Sequence, residues 1–238
     1  MGGRGFVVVM VALFSLVSLS YSYVPAYDSL GAESHFSSSN EGFGPTNYTD
    51  EHTYVTVGYE GRYTQLRMPG GHDYSKPLPL VVSLHGFSGN GQSNAEYMHL
   101  FDSIHENEHL LLYPDGTQNW VGQRRWNATD SCCLFSGEIN DVDYLLGMIN
   151  DAIQNYGADP DGILITGLSN GGFMSHRMAC EAGGTIRSIV ALNGVTWDDF
   201  SMCPDTGRPD ILHVHSTADS VIWLSLIHIS EPTRRTQI

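Results

Sequence analysis

Positive charge is scarce in this sequence. Lys and Arg together number 11 against 26 Asp and Glu, which gives a formal net charge of −15 at pH 7. Such a balance opposes binding to the phosphate backbone of nucleic acid or to an anionic membrane surface. We therefore expect no nucleic-acid partner and a substrate that is neutral rather than polyanionic. The length of 238 residues suits one α/β domain with a sizeable core.

Long hydrophobic runs are also scarce. The apolar stretch at residues 6–19 is shorter than the roughly 20 residues that a membrane-spanning helix needs. It follows the basic Arg4 and precedes small residues around Ser22, which suits cleavage by a signal peptidase. We expect residues 1–22 to be a signal peptide rather than an anchor, and residues 23–50 to be a flexible leader. The protein is then secreted.

Secretion makes two asparagines candidates for glycosylation. Asn47 and Asn127 each begin an N-x-T tripeptide, which is the acceptor pattern for N-linked glycans in secreted proteins. Each tripeptide is weak evidence by itself, because the pattern arises often by chance. The two sites therefore agree with secretion but do not establish it.

Cysteine is used sparingly, and no pair has the spacing of zinc ligands. We therefore expect no metal site built from cysteine, and no cofactor. In a secreted protein, four cysteines suggest disulfides, for which three pairings can be drawn. Cys180 with Cys203 is the easiest pair to build, because adjacent cysteines bond each other only in a strained ring. The pairing of Cys132 and Cys133 stays open.

Apolar periodicity predicts an α/β fold with a doubly wound, mostly parallel sheet. Alternation at residues 53–59 and 63–68 predicts an antiparallel hairpin at the sheet edge. Continuous apolar runs predict strands buried on both faces, and they lie at residues 80–84, 110–113, 163–166, 189–192 and 211–215. Between these runs, apolar residues at helical spacing predict three helices. They lie at residues 93–107, at residues 141–157 with Asp141 as the cap, and at residues 174–180. We assign residues 51–223 to this one domain.

The stretch Gly167-Leu168-Ser169-Asn170-Gly171 lies between an apolar run and a helical pattern. G-x-S-x-G in that setting is typical of a nucleophile elbow, where small residues let the chain turn sharply and expose the serine hydroxyl. The N-terminal N–H groups of the following helix favour negative charge nearby. Ser169 is the candidate nucleophile, and a plain strand-to-helix turn is the alternative.

Two loops are candidates for binding the substrate. Residues 85–91 (HGFSGNG) form a glycine-rich loop after a predicted strand, and backbone N–H groups in such a loop can point at a developing oxyanion. Residues 117–138 carry Trp120 and Trp126 with little periodicity, which indicates an active-site loop. We assign His85, Trp120 and Trp126 to the substrate pocket, although Trp126 is equally consistent with a core residue under the loop.

A serine nucleophile needs a base, and the base needs an acid to orient it. In the α/β-hydrolase order the acid follows the serine and comes after a later strand. Asp219 lies just past the predicted strand at 211–215 and is our candidate acid; a solvated turn aspartate is the alternative. Four other carboxylates lack that strand-end position: Asp198, Asp199, Asp205 and Asp210.

Three histidines near these segments are not assigned to catalysis. His213 and His215 share one face of their strand, which would suit two metal ligands. Because no third ligand has comparable placement, we expect residues of the core, or residues that support the side chains of the site from behind, and no metal. His176 lies too far along the elbow helix to reach the hydroxyl of Ser169. The base is therefore expected after Asp219.

Several blocks together resemble the secreted esterases grouped with polyhydroxybutyrate depolymerases and feruloyl esterases. The blocks are VVSLHGFSGN (81–90), YPDG (113–116), WN (126–127) with CC (132–133), GLSNGG (167–172) with SHRMAC (175–180), and ILHVHSTAD (211–219). The resemblance implies an α/β-hydrolase that cleaves carboxylic esters through an acyl-enzyme, with Ser169 as nucleophile and Asp219 as acid. It also implies an oxyanion hole formed by the backbone N–H of Asn170 and a second donor near Phe87. Leu134 and Ser216 replace glycines that are usual in the family, which bears on the shape of the pocket.

The end of the sequence departs from that family. Residues 224–234 (LSLIHISEPTR) resemble the in-frame translation of a transposase adapter used in preparing sequencing libraries. We expect residues 224–238 to be a non-native tail, so that His228 is not the catalytic base. The hydrolase domain is then truncated, without its last strand or helix and its histidine loop, and the chain as written is expected to be inactive.

The sequence thus predicts a secreted serine esterase. Its expected substrates are polymeric or small carboxylic esters, namely polyhydroxyalkanoate-type polyesters or feruloyl and acetyl esters of polysaccharides. The alternative is a hydrolase-like protein that binds a polymer or glycan through Trp120 and Trp126 without turning it over. Neither interpretation requires a cofactor.

Overall fold

The computed structural model describes residues 52–132, 139–204 and 206–222. Within these residues a seven-stranded sheet forms the centre of the molecule. Its strands are β1 His52–Tyr59, β2 Arg62–Pro69, β3 Leu78–Leu84, β4 Leu110–Leu112, β7 Ala158–Leu168, β8 Ser188–Leu192 and β9 Asp210–Val214. Strands β5 Thr117–Gln118 and β6 Arg124–Arg125 pair separately as a short hairpin.

The strand order of the large sheet is β1-β2-β4-β3-β7-β8-β9. β1 pairs with β2 and β2 with β4 in antiparallel fashion, and every pair from β4 to β9 is parallel. This confirms the mostly parallel sheet with a hairpin at its edge. Because parallel strands end on the same side, the segments that follow β3, β7 and β9 all reach one edge of the sheet.

Helices cover both faces of this sheet. They are α1 Gly91–Tyr97, α2 Leu100–Glu106, α3 Asp141–Tyr156 and α4 Asn170–Glu181, and a short 3₁₀ turn spans Phe200–Met202. Alternate residues of one strand enter opposite cores: Leu80 packs with residues of α3 and α4, whereas Val81 packs with residues of α1 and α2. Burial on both faces explains why the central strands read as continuous apolar runs.

The single helix predicted over residues 93–107 is wrong. The structure breaks it into α1 and α2, because His99 adopts a left-handed backbone with φ 56°, which an α-helix does not tolerate. The apolar spacing nevertheless identified the inward face, since Leu100 and Ile104 are buried.

The cap predicted for the long helix is also corrected. Asn140, not Asp141, caps α3 by accepting a hydrogen bond from the Asp143 N–H. Asp141 is instead fully buried and accepts a 2.7 Å hydrogen bond from Arg62 Nη1. The helix ends at Gly157, whose φ of 70° suits a residue without a Cβ.

Several predictions lie outside the described residues. These are the signal peptide at 1–22, the leader at 23–50, Asn47, Cys133, Asp205, the tail at 224–238 and His228. In the part of the chain that the structure does describe, no helix combines the length and the apolar character needed to span a bilayer.

Candidate active site

Ser169 occupies the turn between β7 and α4. Its backbone angles are φ 52° and ψ −120°, a combination that costs an ordinary residue conformational energy and is seen mainly at functional sites. The Ser169 N–H donates to the carbonyl of Leu192 on β8 at 2.8 Å, and its carbonyl accepts the Phe173 N–H as the first bond of the helix. The strand–turn–helix predicted from G-x-S-x-G is present.

The glycines on either side of Ser169 are required by space. A Cβ on Gly167 would lie 2.2 Å from the carbonyl oxygen of Gly171, and a Cβ on Gly171 would lie 2.1 Å from that of Leu84. Both obstacles are backbone atoms, which cannot rotate away. The turn therefore packs α4 directly onto the ends of β3 and β7 and holds Ser169 at the edge of the sheet.

The glycine-rich loop after β3 lies against this turn. A Cβ on Gly86 would be only 3.6 Å from the Ser169 Cβ, so the loop backbone and the serine are immediate neighbours. Within the loop, Gly89 N–H donates to the Gly86 carbonyl at 3.0 Å. The loop also binds the β5–β6 hairpin, because Ser88 N–H donates to the Arg124 carbonyl at 2.8 Å. Phe87, which follows Gly86, has an exposed side chain.

His85 is a buried anchor of this loop. Its Nε2 accepts a 2.9 Å hydrogen bond from the Gly116 N–H, so the proton resides on Nδ1, which donates to the Gly86 carbonyl at 2.7 Å. Burial lowers the pKa of His85 because it disfavours the charged imidazolium. With both nitrogens engaged and the residue 1% exposed, His85 is neither a base for Ser169 nor a wall of the pocket, which corrects its assignment to the pocket.

Trp126 is also a core residue. It is 0% exposed, its indole packs 5.2 Å from the His85 ring, and its Nε1–H donates to the His85 carbonyl at 3.0 Å. An indole without solvent contact offers no face to a substrate. The assignment of Trp126 to the pocket is therefore corrected in favour of the core alternative.

Trp120, unlike Trp126, is exposed to solvent. It is 95% exposed at the turn between β5 and β6, whose backbone is fixed by hydrogen bonds from Val121 N–H and Gln123 N–H to the side chain of Asn119. The hairpin is attached to the loop after β3 through Ser88 and Arg124. Trp120 is thus a solvent-exposed residue of this hairpin, and its role in the pocket stays a prediction.

Asn170 begins α4 and is fully buried. As the first helical residue it has no preceding turn to accept its backbone N–H, which is the donor expected for an oxyanion hole. Its side chain accepts a 2.7 Å hydrogen bond from the Trp126 N–H and donates to the Trp126 carbonyl at 3.1 Å. No signal in the sequence pattern indicated this contact across 44 positions.

Asp219 lies in a turn after β9, with its N–H donating to the Ser216 carbonyl at 3.1 Å. One carboxylate oxygen accepts from the Ile222 N–H at 3.0 Å and the Val221 N–H at 2.8 Å. These two bonds lower the pKa of Asp219, with a smaller contribution from His215, because they favour the ionised form. A carboxylate held in the charged state suits a residue that orients a histidine.

Ser169 and the Asp219 turn are connected through the ends of neighbouring strands. Ser169 N–H donates to Leu192 on β8, and Asn193 N–H donates to Val214 on β9 at 2.8 Å. The Asn193 side chain then accepts the Ser216 N–H at 3.1 Å. Two strand spacings of about 4.8 Å therefore separate the serine strand from the acid strand. The other candidate carboxylates with described positions have other partners or places: Asp198 accepts from Ser131, Asp199 caps the 3₁₀ turn, and Asp210 begins β9.

The three histidines set aside in the sequence form a row on α4 and β9, with His176 buried and His213 and His215 partly buried. His176 Nε2 lies 3.4 Å from His213 Nδ1, and the rings of His213 and His215 stack at 5.4 Å. Burial, assisted by His213, lowers the pKa of His176 to about 3. His215 Nε2 donates to the Ile222 carbonyl at 2.8 Å and lies 3.4 Å from an Asp219 oxygen. Among the described residues no group of histidine, cysteine and carboxylate side chains is arranged to hold a metal ion.

Two further predictions concern covalent modification. Cys180 and Cys203 form a disulfide with their Cα atoms 5.0 Å apart, as predicted, and Cys132 is disulfide-bonded as well. Asn127 is half-buried in the folded chain, and its glycosylation stays a prediction. Its side-chain nitrogen donates to the Ile139 carbonyl at 3.0 Å, and Thr129 of the same tripeptide is fully buried.

Solved structures share this arrangement of strands and helices. A thermostable esterase aligns with a TM-score of 0.52 at 18% identity, over 76% of this chain and 50% of the esterase. A single-substitution form of SOBER1 from Arabidopsis thaliana aligns with a TM-score of 0.51 at 20% identity, over 63% of this chain and 79% of SOBER1. The fold is that of the α/β-hydrolases. Within this fold Ser169 lies on the strand-to-helix turn after β7, and Asp219 follows the later strand β9.

Curated relatives are similar in sequence over part of their length. Feruloyl esterase B of Neurospora crassa is 29% identical over 127 residues, which cover 53% of this chain and 42% of the relative. Feruloyl esterase C of Emericella nidulans is 30% identical over 166 residues, which cover 69% of this chain and 57% of the relative. The chain thus spans about half the length of the curated relatives that it matches. No family model matches the sequence.

Proposed function

We propose that this protein is a secreted carboxylic ester hydrolase that acts through an acyl-enzyme. Ser169 is the nucleophile, Asp219 is the acid, and the base is a histidine that follows Asp219 in chain order, as in other α/β-hydrolases. The observation that carries the proposal is the backbone of Ser169, which is held at φ 52° in a turn that leaves no room for a Cβ on Gly167 or Gly171.

The chemistry follows from that position. The Ser169 Oγ attacks the ester carbonyl while its proton passes to the histidine, and the carbonyl oxygen becomes an oxyanion. The backbone N–H of Asn170 and a second N–H from the loop at Phe87 donate to that oxyanion. Collapse of the tetrahedral intermediate breaks the C–O bond, and the alcohol leaves with the proton from the histidine. Water then attacks the acyl-enzyme in the same way and releases the acid.

The names of the relatives bear on the substrate. Two of the three curated relatives that match are called feruloyl esterases and the third a putative esterase, which favours feruloyl or related esters over polyesters for this chain. Trp120 is exposed on the hairpin that is attached to the loop after β3, and we assign it to stacking on an aromatic acyl group or a sugar ring. The alternative of a non-catalytic glycan binder is weakened, because one of its two expected aromatic contacts, Trp126, is buried.

The test is turnover and labelling of the full-length protein. We expect hydrolysis of methyl ferulate and p-nitrophenyl acetate, and a covalent adduct of a fluorophosphonate on Ser169 by peptide mass spectrometry. Ser169→Ala should lower kcat by at least about 1,000-fold. Ser201→Ala is the matched control, since Ser201 is an exposed serine away from β7. Equal turnover by the full-length protein and its Ser169→Ala form would exclude the mechanism.

The predicted non-native tail has its own test. Re-sequencing the 3′ end of the transcript should replace residues 224–238 by a different sequence with a histidine after Asp219. A protein with that end should turn over esters, whereas the 238-residue chain should not. The same end in genomic DNA would contradict the prediction.

A further inference from the structure

Trp126 is the residue that joins the two sides of the proposed oxyanion hole. Its backbone is bound by the Asn170 side chain on α4, and its indole Nε1–H is bound to the His85 carbonyl at the start of the loop after β3. The two expected oxyanion donors, the N–H of Asn170 and the N–H near Phe87, belong to those same two elements. Trp126 therefore hydrogen-bonds to both elements that carry a donor.

The side chain of Asn170 suits the hydrogen bonds that connect α4 to Trp126. It meets the N–H and the C=O of a single residue, Trp126, at 2.7 and 3.1 Å. A primary amide offers an acceptor and donors on one planar group, so it satisfies both backbone groups at once. Both residues are fully buried, and an unpaired polar group there would carry the full cost of desolvation. A carboxylate or an alkyl side chain would leave at least one of the two backbone groups unpaired.

We propose that the Asn170 amide and the Trp126 indole N–H are positioning groups that fix the distance between the two oxyanion donors. This inference rests on the proposed ester hydrolysis and adds a residue outside the G-x-S-x-G turn to its machinery. Neither group touches the substrate. They act by holding α4 and the loop after β3 in one relative position, and a displacement of about 1 Å at a reacting centre can lower the rate about 100-fold.

The decisive variant is Trp126→Phe, measured in the full-length protein. It keeps an aromatic ring in the core and removes the bond to the His85 carbonyl. Trp197→Phe is the matched control, because Trp197 is 4% exposed and its indole nitrogen bonds to no described residue. We expect Trp126→Phe to lower kcat about 30- to 100-fold with KM changed less than about threefold, whereas Trp197→Phe keeps kcat within about twofold at a similar loss in Tm.

Asn170→Asp provides an independent measurement. Its carboxylate keeps the acceptor for the Trp126 N–H and removes the donor to the Trp126 carbonyl. We expect kcat to fall about 10-fold or more at pH 8. When the pH is lowered, the introduced carboxyl binds a proton and can donate again. The ratio of variant to wild-type kcat should therefore rise as the pH falls, which a general loss of stability does not produce.

The outcomes separate this inference from the proposed function. Wild-type protein that neither hydrolyses esters nor labels at Ser169 overturns the function and the inference together. Active wild type with Trp126→Phe and Trp197→Phe equal in kcat overturns the inference alone. If Trp126→Phe does not fold, the pH-dependent ratio of Asn170→Asp decides, and a ratio that stays constant with pH overturns it.

Discussion

The two sides of the candidate active site are built in different ways. On the oxyanion side, His85, Trp126 and Asn170 are buried and bind one another across 41 and 44 positions of sequence. On the acid side, Asp219 is held by bonds to Val221 and Ile222, two and three positions away. The first side is part of the core, and the second is a local turn at the end of a strand.

Because of this difference, substitutions on the two sides should affect the stability of the fold and the rate of catalysis differently. A change on the oxyanion side disturbs buried hydrogen bonds and packing, so it should affect the free energy of unfolding and the rate together. A change in the acid turn removes a functional group while its short-range geometry survives, so it should affect the rate alone. The following predictions test that contrast, from the largest expected effect to the smallest.

Asp219→Asn should show the largest effect. The amide oxygen can still accept from Val221 and Ile222, so the turn keeps its shape, but the negative charge that we propose orients a histidine is lost. We expect kcat to fall about 1,000- to 10,000-fold with Tm changed by less than about 2 °C. Asp210→Asn is the control, because Asp210 is an exposed carboxylate at the opposite end of β9. Similar losses in both variants would remove Asp219 from the triad.

Gly171→Ala should have the next largest effect, on stability. The added methyl group would lie 2.1 Å from the Leu84 carbonyl oxygen, and backbone on both sides prevents relief. We expect the free energy of unfolding in urea to fall by about 3 kcal/mol. Gly71→Ala is the matched control: it places a Cβ at a left-handed φ of 72° with no atom within 4 Å, which should cost about 1 kcal/mol. Equal losses would mean that the elbow is less tightly packed than described.

Acid pH should destabilise the protein through its buried histidines. Burial lowers the pKa of His109 and of His176 to about 3. The unfolded chain binds these protons below about pH 6.5 and the folded chain does not, so stability is complete above about pH 6.5 and is lost as the pH falls. Each histidine should cost about 2 kcal/mol at pH 5. Carboxylates with lowered pKa values, such as Asp219, change the free energy of unfolding only below about pH 4.

The variant His176→Gln checks that assignment on the acid side, because His176 packs against β9 through His213. Urea unfolding between pH 7 and pH 5 should show an average slope reduced by about 1 kcal/mol per pH unit compared with wild type. A slope that is unchanged by His176→Gln would show that this histidine does not titrate in the unfolding reaction.

Trp120→Ala should have the smallest effect. Because Trp120 is 95% exposed, Tm should not change. We expect kcat/KM for a feruloylated polysaccharide to fall about fivefold, since stacking on an aromatic ring contributes about 1 kcal/mol, while turnover of p-nitrophenyl acetate stays the same. Tyr97→Ala removes another exposed aromatic ring, on α1, and should leave both rates unchanged. Loss of both activities in Trp120→Ala would instead indicate a structural role.

Local patterns in the sequence determined much of the fold. The alternating runs identified β1 and β2, the continuous runs identified the buried strands, and G-x-S-x-G identified the turn at Ser169. The disulfide between Cys180 and Cys203 was also predicted. These features depend on neighbours within a few positions, where side-chain period and glycine are sufficient guides. The break at His99 was not foreseen, because the apolar spacing continues on both sides of it.

Only the tertiary structure decided which polar and aromatic residues are inside. The sequence left Trp126 equally suited to pocket and core, and it placed His85 in the pocket; both are buried. Nothing in the pattern around Asn170 indicated that its side chain binds the backbone of Trp126. The physical reason is that these bonds join segments 41 and 44 positions apart, and whether a polar side chain is buried depends on a partner that only the folded chain brings to it.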